Sequence, residues 1–187
     1  MRRLIRDSLA LAGSVVGMTG LADLLLARLA RSGRFDPATR TSIVVDAPID
    51  AVWARAADVE RQPEWMAEMS DLRVLTDPPL GVGSRGRATV TVCCLSVTDT
   101  VTITAFEPPR RFAVRHEGRV VGDGLIALAV RAAGGSTIVE WEERLLPPLF
   151  PYLGAAVMRP VLRRVFSRDL ERLAALVEGE AGHHARA

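Results

Sequence analysis

Residues 41–65 constrain the fold more than any other part of the sequence. Apolar residues alternate with their neighbours at Ile43 and Val45, which is the period-two pattern of a short strand. Pro48 ends that strand and suits the start of a helix, where its missing N–H costs nothing. A second short helix is predicted to end near residues 63–65. A strand followed by two short helices and then by a long series of strands is an uncommon order, and few folds accommodate it.

Six further runs rich in β-branched residues complete a predicted sheet of seven strands. They lie at residues 71–76, 87–94, 97–106, 112–116, 120–131 and 137–145. From Tyr152 onward, apolar residues recur at spacings of three and four, which predicts a C-terminal helix with one buried face. That face contains Met158, Leu162, Val165, Phe166, Leu170, Leu173 and Val177. Because proline is disfavoured inside a helix, we expect a kink at Pro160 or a helix that restarts with Pro160 in its first turn.

Several short segments resemble those of one known superfamily. They are Asp46-Ala47-Pro48, Val52-Trp53, Glu107-Pro108-Pro109-Arg110 and the final-helix text Arg168-Asp169-Leu170-Glu171-Arg172-Leu173. Together with the element order, residues 40–178 resemble the START-related polyketide cyclase/dehydrase and lipid-transport superfamily (SRPBCC). The resemblance implies an α+β helix-grip fold, in which a seven-stranded curved antiparallel sheet surrounds a long C-terminal helix and leaves an apolar cavity between them.

Charge and composition restrict the partners. The chain has 187 residues, with 24 basic against 22 acidic residues, so no general electrostatic contact with nucleic acid is expected. Gly81, Gly83 and Gly86 have the spacing of a dinucleotide fingerprint, but a predicted strand follows them where that motif needs a helix, so we expect no nucleotide cofactor. The neighbouring Cys93 and Cys94 point to opposite faces of a strand and are predicted to be buried free thiols. With so few cysteines and histidines, we expect no metal cofactor either.

The N-terminal segment is more apolar than the rest of the chain. Residues 8–22 are uncharged, and three leucines follow Asp23, but this run is shorter than the roughly 20 residues that cross a bilayer. Three interpretations are open: a membrane anchor or interfacial helix within residues 4–30, a helix packed on the domain or on a partner, and a cleaved secretory signal. The protein is accordingly expected to be cytoplasmic or membrane-associated, and its oligomeric state is left open.

The sequence divides into three predicted parts. Residues 1–34 form an apolar N-terminal helix and linker, and residues 35–180 form a helix-grip ligand-binding domain. Residues 181–187 are predicted to be a disordered tail.

Strand parity predicts which side chains face the interior. In the strand over residues 97–106, an apolar row that includes Asp99 alternates with a row of threonines, so the apolar row is predicted to face the cavity. The same rule turns His116 and Glu143 inward. The apolar wall of the predicted pocket consists of Val101, Ile103, Val114, Trp141 and Met158, with Tyr152 at its mouth.

The fold that the resemblance implies hosts several activities, so two function classes remain open. The first is binding or carriage of a lipid, isoprenoid or polyketide-like molecule in the cavity. The second is a polyketide cyclase/aromatase or dehydratase in which Asp99, His116 and Glu143 are the acid/base residues and Tyr152 is a donor. A structural alternative for the three acid/base candidates is that each lies half-solvated at a strand end or pairs with an arginine.

Overall fold

The structure is a computed structural model that describes residues 2–92, 95–118, 121–130 and 135–184. Within these residues, the α-helices are α1 (Arg2–Arg31), α2 (Ile49–Ala56) and α3 (Pro151–His184), and a 3-10 helix spans Val59–Glu64. The strands are β1 (Thr39–Val45), β2 (Met69–Val74), β3 (Arg85–Val92), β4 (Leu95–Glu107), β5 (Arg111–Glu117), β6 (Val121–Val130) and β7 (Thr137–Leu146). Cys93 and Cys94, and the start of the turn at residues 133–136, lie outside the described residues.

All seven strands form one antiparallel sheet in the order β1-β7-β6-β5-β4-β3-β2. The first and last strands therefore meet at one edge, where Thr39 lies opposite Glu143 and Val45 opposite Thr137. Because β2 lies at the other edge, α2 and the 3-10 helix carry the chain across the whole sheet. The helix-grip fold with seven strands is confirmed.

The inner face of the sheet packs on α3. Along β7, buried side chains at Val139, Trp141 and Glu143 alternate with exposed or half-buried ones, as parity predicts. The buried face of α3 contains Leu162, Phe166, Leu170, Leu173 and Val177. The Phe166 ring stacks on that of Trp141, with 4.3 Å between the ring centroids. The predicted core of the fold therefore lies between β7 and the middle of α3.

The C-terminal helix begins at Pro151, one residue before the predicted start of the helical pattern at Tyr152. It runs without interruption from Pro151 across Pro160, so the expectation of a restart at Pro160 is wrong. Pro151 takes the first helical position instead, where a missing N–H and a fixed φ are favourable. The helix also extends to His184, into the predicted tail, whose last three residues lie outside the described part.

Asp23 joins α1 to α3. Its Oδ1 accepts hydrogen bonds from the backbone N–H groups of Tyr152 and Leu153, both at 2.8 Å. A carboxylate here satisfies two of the N–H groups that every helix leaves unpaired at its start and also opposes the helix dipole. Of the three interpretations of the N-terminal segment, this contact agrees with a helix packed on the domain.

One side of α1 remains open to solvent. Among the side chains described in residues 17–31, the exposed large apolar ones are Met18, Leu21, Leu24, Leu25 and Leu29. In the part of the chain that the structure describes, no helix is long and apolar enough to cross a membrane.

Candidate functional site

A cavity of about 290 Å³ lies between the inner face of the sheet and the N-terminal half of α3. Most of its wall is apolar and comes from β2 to β7, from the segment before β2 and from α3. The lining side chains include Met66, Met69, Leu72, Val90, Val97, Val101, Phe112, Val114, Ile126, Trp141, Leu145, Met158, Leu162 and Phe166. Four titratable side chains interrupt this wall: Glu68, Asp99, His116 and Glu143.

Two of these polar groups meet although their strands are not neighbours. His116 is on β5 and Glu143 is on β7, with β6 between them. His116 Nε2 lies 2.8 Å from Glu143 Oε1, in ion-pair contact but without the alignment of a regular hydrogen bond. The indole N–H of Trp141 donates a hydrogen bond to Glu143 Oε2 at 2.9 Å. The buried carboxylate is therefore held between an imidazole and an indole.

Glycines in the adjoining strand and turn make room for the carboxylates. Gly124 of β6 is paired with Glu143, and a Cβ at that position would come within 2.6 Å of Glu143 Oε2. At the end of β5, a Cβ on Gly118 would lie 1.9 Å from Asp99 Oδ1. A larger residue at either position would displace the carboxylate, so these two glycines belong to the construction of the site.

Two effects oppose each other at His116. Burial lowers the pKa of an imidazole, but the contact with Glu143 and its charge, with smaller contributions from Asp99 and Asp123, outweigh burial and raise the pKa of His116 above its usual 6.5. The charged form of His116 is therefore favoured in the folded protein. The contribution of charged His116 to the stability of the folded protein is complete below pH 6.5. It is lost as the pH rises through the raised pKa of His116.

A second buried carboxyl group was missed by the sequence analysis. Glu68 lies on the cavity wall just before β2 and is 9% exposed, and its Oε2 is buried without a hydrogen-bond partner. Behind it lies Asp169 of α3, 1% exposed, which accepts hydrogen bonds from the Ala67 N–H and from Arg172, both at 3.1 Å. The pKa of Glu68 is raised from 4.5 to about 9. Burial is the largest cause, followed by the hydrogen-bonding contact with Asp169 and by the charge of Asp169.

A shared proton reconciles these observations. Asp169 Oδ2 is also buried without a donor, and two ionised carboxylates have no proton to place between them. If Glu68 is neutral at pH 7, its proton satisfies both oxygens. The sequence carried one signal for this pair, because Asp169 falls three residues after Phe166 and four before Leu173 on the apolar face of α3.

The sequence of this chain matches the profile of a family described as polyketide cyclase / dehydrase and lipid transport, over residues 37–178. The chain belongs to this family. No curated protein sequence matches it significantly.

Solved structures support the same fold for this polyketide cyclase/dehydrase family member. The Zhui aromatase/cyclase from Streptomyces sp. R1128 has a TM-score of 0.59 at 21% identity, over 80% of this chain and 96% of that one. A protein from Thermus thermophilus has a TM-score of 0.62 at 18% identity, over 77% and 99% of the two chains. The di-domain aromatase/cyclase BexL from the BE-7585A biosynthetic pathway has a TM-score of 0.59 at 18% identity, over 75% of this chain and 46% of that one. At these identities the likeness concerns the fold alone.

Most predicted site residues of this family member line the cavity. Asp99, His116 and Glu143 line the cavity, as do Val101, Val114, Trp141 and Met158. Ile103 is buried in the core beside a separate pocket of about 40 Å³ that shares Val101 and Val114 with the cavity. Tyr152 is not part of the lining of the cavity. It lies in the first turn of α3, where its backbone N–H donates a hydrogen bond to Asp23.

The chemistry available in this cavity is proton transfer and hydrogen bonding. An imidazole with a raised pKa in contact with a carboxylate can both give and accept a proton near neutral pH. Among the described residues, no cluster of three or more His, Cys, Asp or Glu side chains is placed to hold a metal ion. The roles of Asp99, His116 and Glu143 in catalysis stay predictions.

Proposed function

We propose that this protein binds a hydrophobic small molecule, such as a lipid, an isoprenoid or a polyketide-like compound, in the cavity between the sheet and α3. The observation that carries the proposal is the cavity itself: about 290 Å³ of space with a mainly apolar wall and few polar groups. That volume is just below the range of roughly 300–1,000 Å³ for small-molecule sites, and the lining has their usual composition. Membership of the polyketide cyclase/dehydrase and lipid-transport family supports the same class of ligand.

A fluorescent apolar probe tests this proposal. The ring of Trp141 lines the cavity, so a bound naphthalene derivative should quench its emission. Ala155 also lines the cavity and is 4% exposed, whereas Ala175 is on the exposed side of the same helix. Ala155→Phe should therefore abolish binding and Ala175→Phe should not. Equal binding by both variants would place the probe elsewhere and reject the cavity as the site.

A second candidate function is favoured by the contact between His116 and Glu143. A polyketide cyclase/aromatase or a dehydratase needs a base that takes a proton from the carbon next to a carbonyl and an acid that protonates the departing hydroxyl. His116 is suited to exchange protons, Glu143 to orient and stabilise its charged form, and Asp99 to add negative charge beside it. The apolar wall would hold a poly-β-keto chain in a folded arrangement.

His116→Gln separates the two functions. A carrier should keep nearly the same affinity for an apolar probe, because the substitution retains size and polarity. An enzyme should lose turnover of a β-hydroxyketone or poly-β-keto substrate by about 10²-fold or more while still binding it. Unchanged turnover in this variant would exclude His116 from an acid/base role, and absence of turnover in the unmodified protein would leave the carrier function.

The exposed face of α1 supports a further part of the proposal, namely that the protein associates with a membrane surface. Leu21 and Leu25 lie four residues apart and are 59% and 51% exposed, and Arg28 and Arg31 occupy the last turn of α1. Apolar side chains together with arginines on one helix are typical of helices that lie in the membrane interface.

Sedimentation with vesicles that contain anionic lipid tests this part. Leu21→Glu combined with Leu25→Glu should release the protein from the vesicles. Val157→Glu combined with Val161→Glu, which places the same two charges at exposed apolar positions of α3, is the matched control and should not. Binding that survives the double substitution would show that the face of α1 is not the contact.

A further inference from the structure

The charges on the cavity wall have an unusual composition for this chain. Among the described residues that line the cavity, none is an arginine, although the chain has 24 basic residues. Its titratable side chains are three carboxylic acids, Glu68, Asp99 and Glu143, and one imidazole. The imidazole of His116 already contacts Glu143. Among the described lining residues, a negatively charged ligand would therefore meet no cation that is not already paired.

Arginines of the described part are instead engaged elsewhere. Arg40 contacts Asp36 and Glu142 at the outer surface, and Arg115 contacts Asp123. The buried Arg55 contacts Glu64 and Glu180 between α2 and α3. Arg172 contacts Asp169 behind the cavity wall. The overall charge of +2 thus describes the outer surface and does not describe the cavity.

The protonation of Glu68 limits the negative charge of the wall. Its buried Oε2 and the buried Oδ2 of Asp169 both lack a donor unless one proton lies between them. Glu68 is then neutral. Among the described lining residues, His116 is the one side chain that can carry a positive charge, and it already contacts Glu143. In a site from which water is excluded, such charges act more strongly than at the surface.

We infer that the cavity accepts uncharged hydrophobic molecules that carry a hydroxyl, carbonyl or amide group, and excludes those that carry a carboxylate or a phosphate. This inference rests on the proposed binding function and adds the charge class of the ligand. The physical reason is that an anion loses its hydration on entry, and the described wall residues offer no unpaired cation that could replace it. A neutral oxygen, in contrast, can hydrogen-bond to the polar groups of the wall at little cost.

The test uses two probes of nearly equal size and shape, 2-naphthamide and 2-naphthoate, with naphthalene as the apolar reference. Affinities are measured with the full chain at pH 7 by quenching of tryptophan emission and by calorimetry. Naphthalene binding tests the proposed cavity function. We expect 2-naphthamide to bind at least tenfold more tightly than 2-naphthoate, which corresponds to about 1.4 kcal/mol.

Each outcome decides one of the two proposals. Equal or tighter binding of 2-naphthoate overturns the inference, and so does binding of naphthalene without binding of 2-naphthamide. If none of the three probes binds, the proposed function is rejected and the inference with it.

A charge introduced into the wall provides the matched comparison. Val90 lines the cavity and is half-buried. Val90→Lys supplies the missing cation, and Val90→Met adds similar length without charge. The preference for the amide should fall at least tenfold in the lysine variant and stay unchanged in the methionine variant. If both variants keep the original preference, the discrimination is not electrostatic and the inference is wrong.

Discussion

Replacing Glu68 by glutamine should stabilise the protein, and increasingly so as the pH rises. In the unfolded chain Glu68 loses its proton near pH 4.5, whereas in the folded chain its pKa is about 9. Between these values the folded state binds a proton that the unfolded state has released. By linkage, the wild-type protein therefore loses stability with each pH unit in this window. Glutamine cannot ionise, and its amide N–H can still donate to Asp169.

The two pKa values set the magnitude. For each pH unit above 4.5, the wild-type protein loses about 1.36 kcal/mol of its free energy of unfolding. At pH 7, which is two and a half units above 4.5, this loss is up to about 3 kcal/mol. The difference in free energy of unfolding between Glu68→Gln and wild type should grow by about 2–3 kcal/mol from pH 6 to pH 8. Taking a difference between two proteins cancels the titration of all other groups that the substitution does not affect.

Urea unfolding followed by circular dichroism at pH 6, 7 and 8 measures this difference. Glu140→Gln removes an exposed carboxylate from β7 and controls for the loss of one negative charge. When Asp169→Asn is present in both proteins, the pH dependence of the Glu68→Gln difference should be smaller, because Asp169 contributes to the raised pKa of Glu68. A Glu68→Gln difference that does not change from pH 6 to pH 8 would mean that Glu68 is ionised in the folded protein, and the shared proton would be refuted.

Further predictions concern the two helices that pack on the domain. Phe166→Ala should lower the free energy of unfolding by about 3–5 kcal/mol in denaturant melts, because Phe166 is 3% exposed and stacks on Trp141; a loss below about 1 kcal/mol would contradict this packing. Asp23→Ala should cost about 0.5–2 kcal/mol through the lost cap of α3, and Asp23→Asn, which keeps an acceptor oxygen, should cost less; equal losses in the two variants would argue against the cap. Deletion of residues 1–34 should leave a domain that still melts cooperatively, since the sheet begins at Thr39, whereas aggregation of the shortened chain would show that α1 belongs to the core.

Local patterns in the sequence were sufficient to predict the fold. The positions of the strands follow from alternation of apolar residues, and the buried face of α3 follows from spacings of three and four, because each pattern reflects which neighbours point to the same side. Strand parity likewise placed Asp99, His116 and Glu143 on the side of the sheet that faces α3. Alternation does not predict the register between strands. It therefore does not predict which side chains of different strands lie next to each other.

The site therefore depends on contacts between distant parts of the chain. Glu143 reaches His116 only because Gly124 leaves space on the strand between them. Asp23, which the sequence presents as a charge inside an apolar run, caps a helix at Tyr152, which lies 129 residues further along the chain. Such pairings depend on the strand register and on the residue at which the helix starts. The sequence around one of the two partners does not determine either of them.

Periodicity and short motifs within single segments were enough to establish the order of the elements, the seven strands, the amphipathic C-terminal helix and the family. The folded arrangement was needed to learn that Glu68 is buried beside Asp169 with a raised pKa, that Tyr152 lies outside the cavity lining, and that none of the described lining residues is an arginine. The two kinds of information differ because burial and electrostatic environment are properties of the space between elements. They arise when the sheet closes on α3, and residues that are far apart in sequence then determine one another's charge.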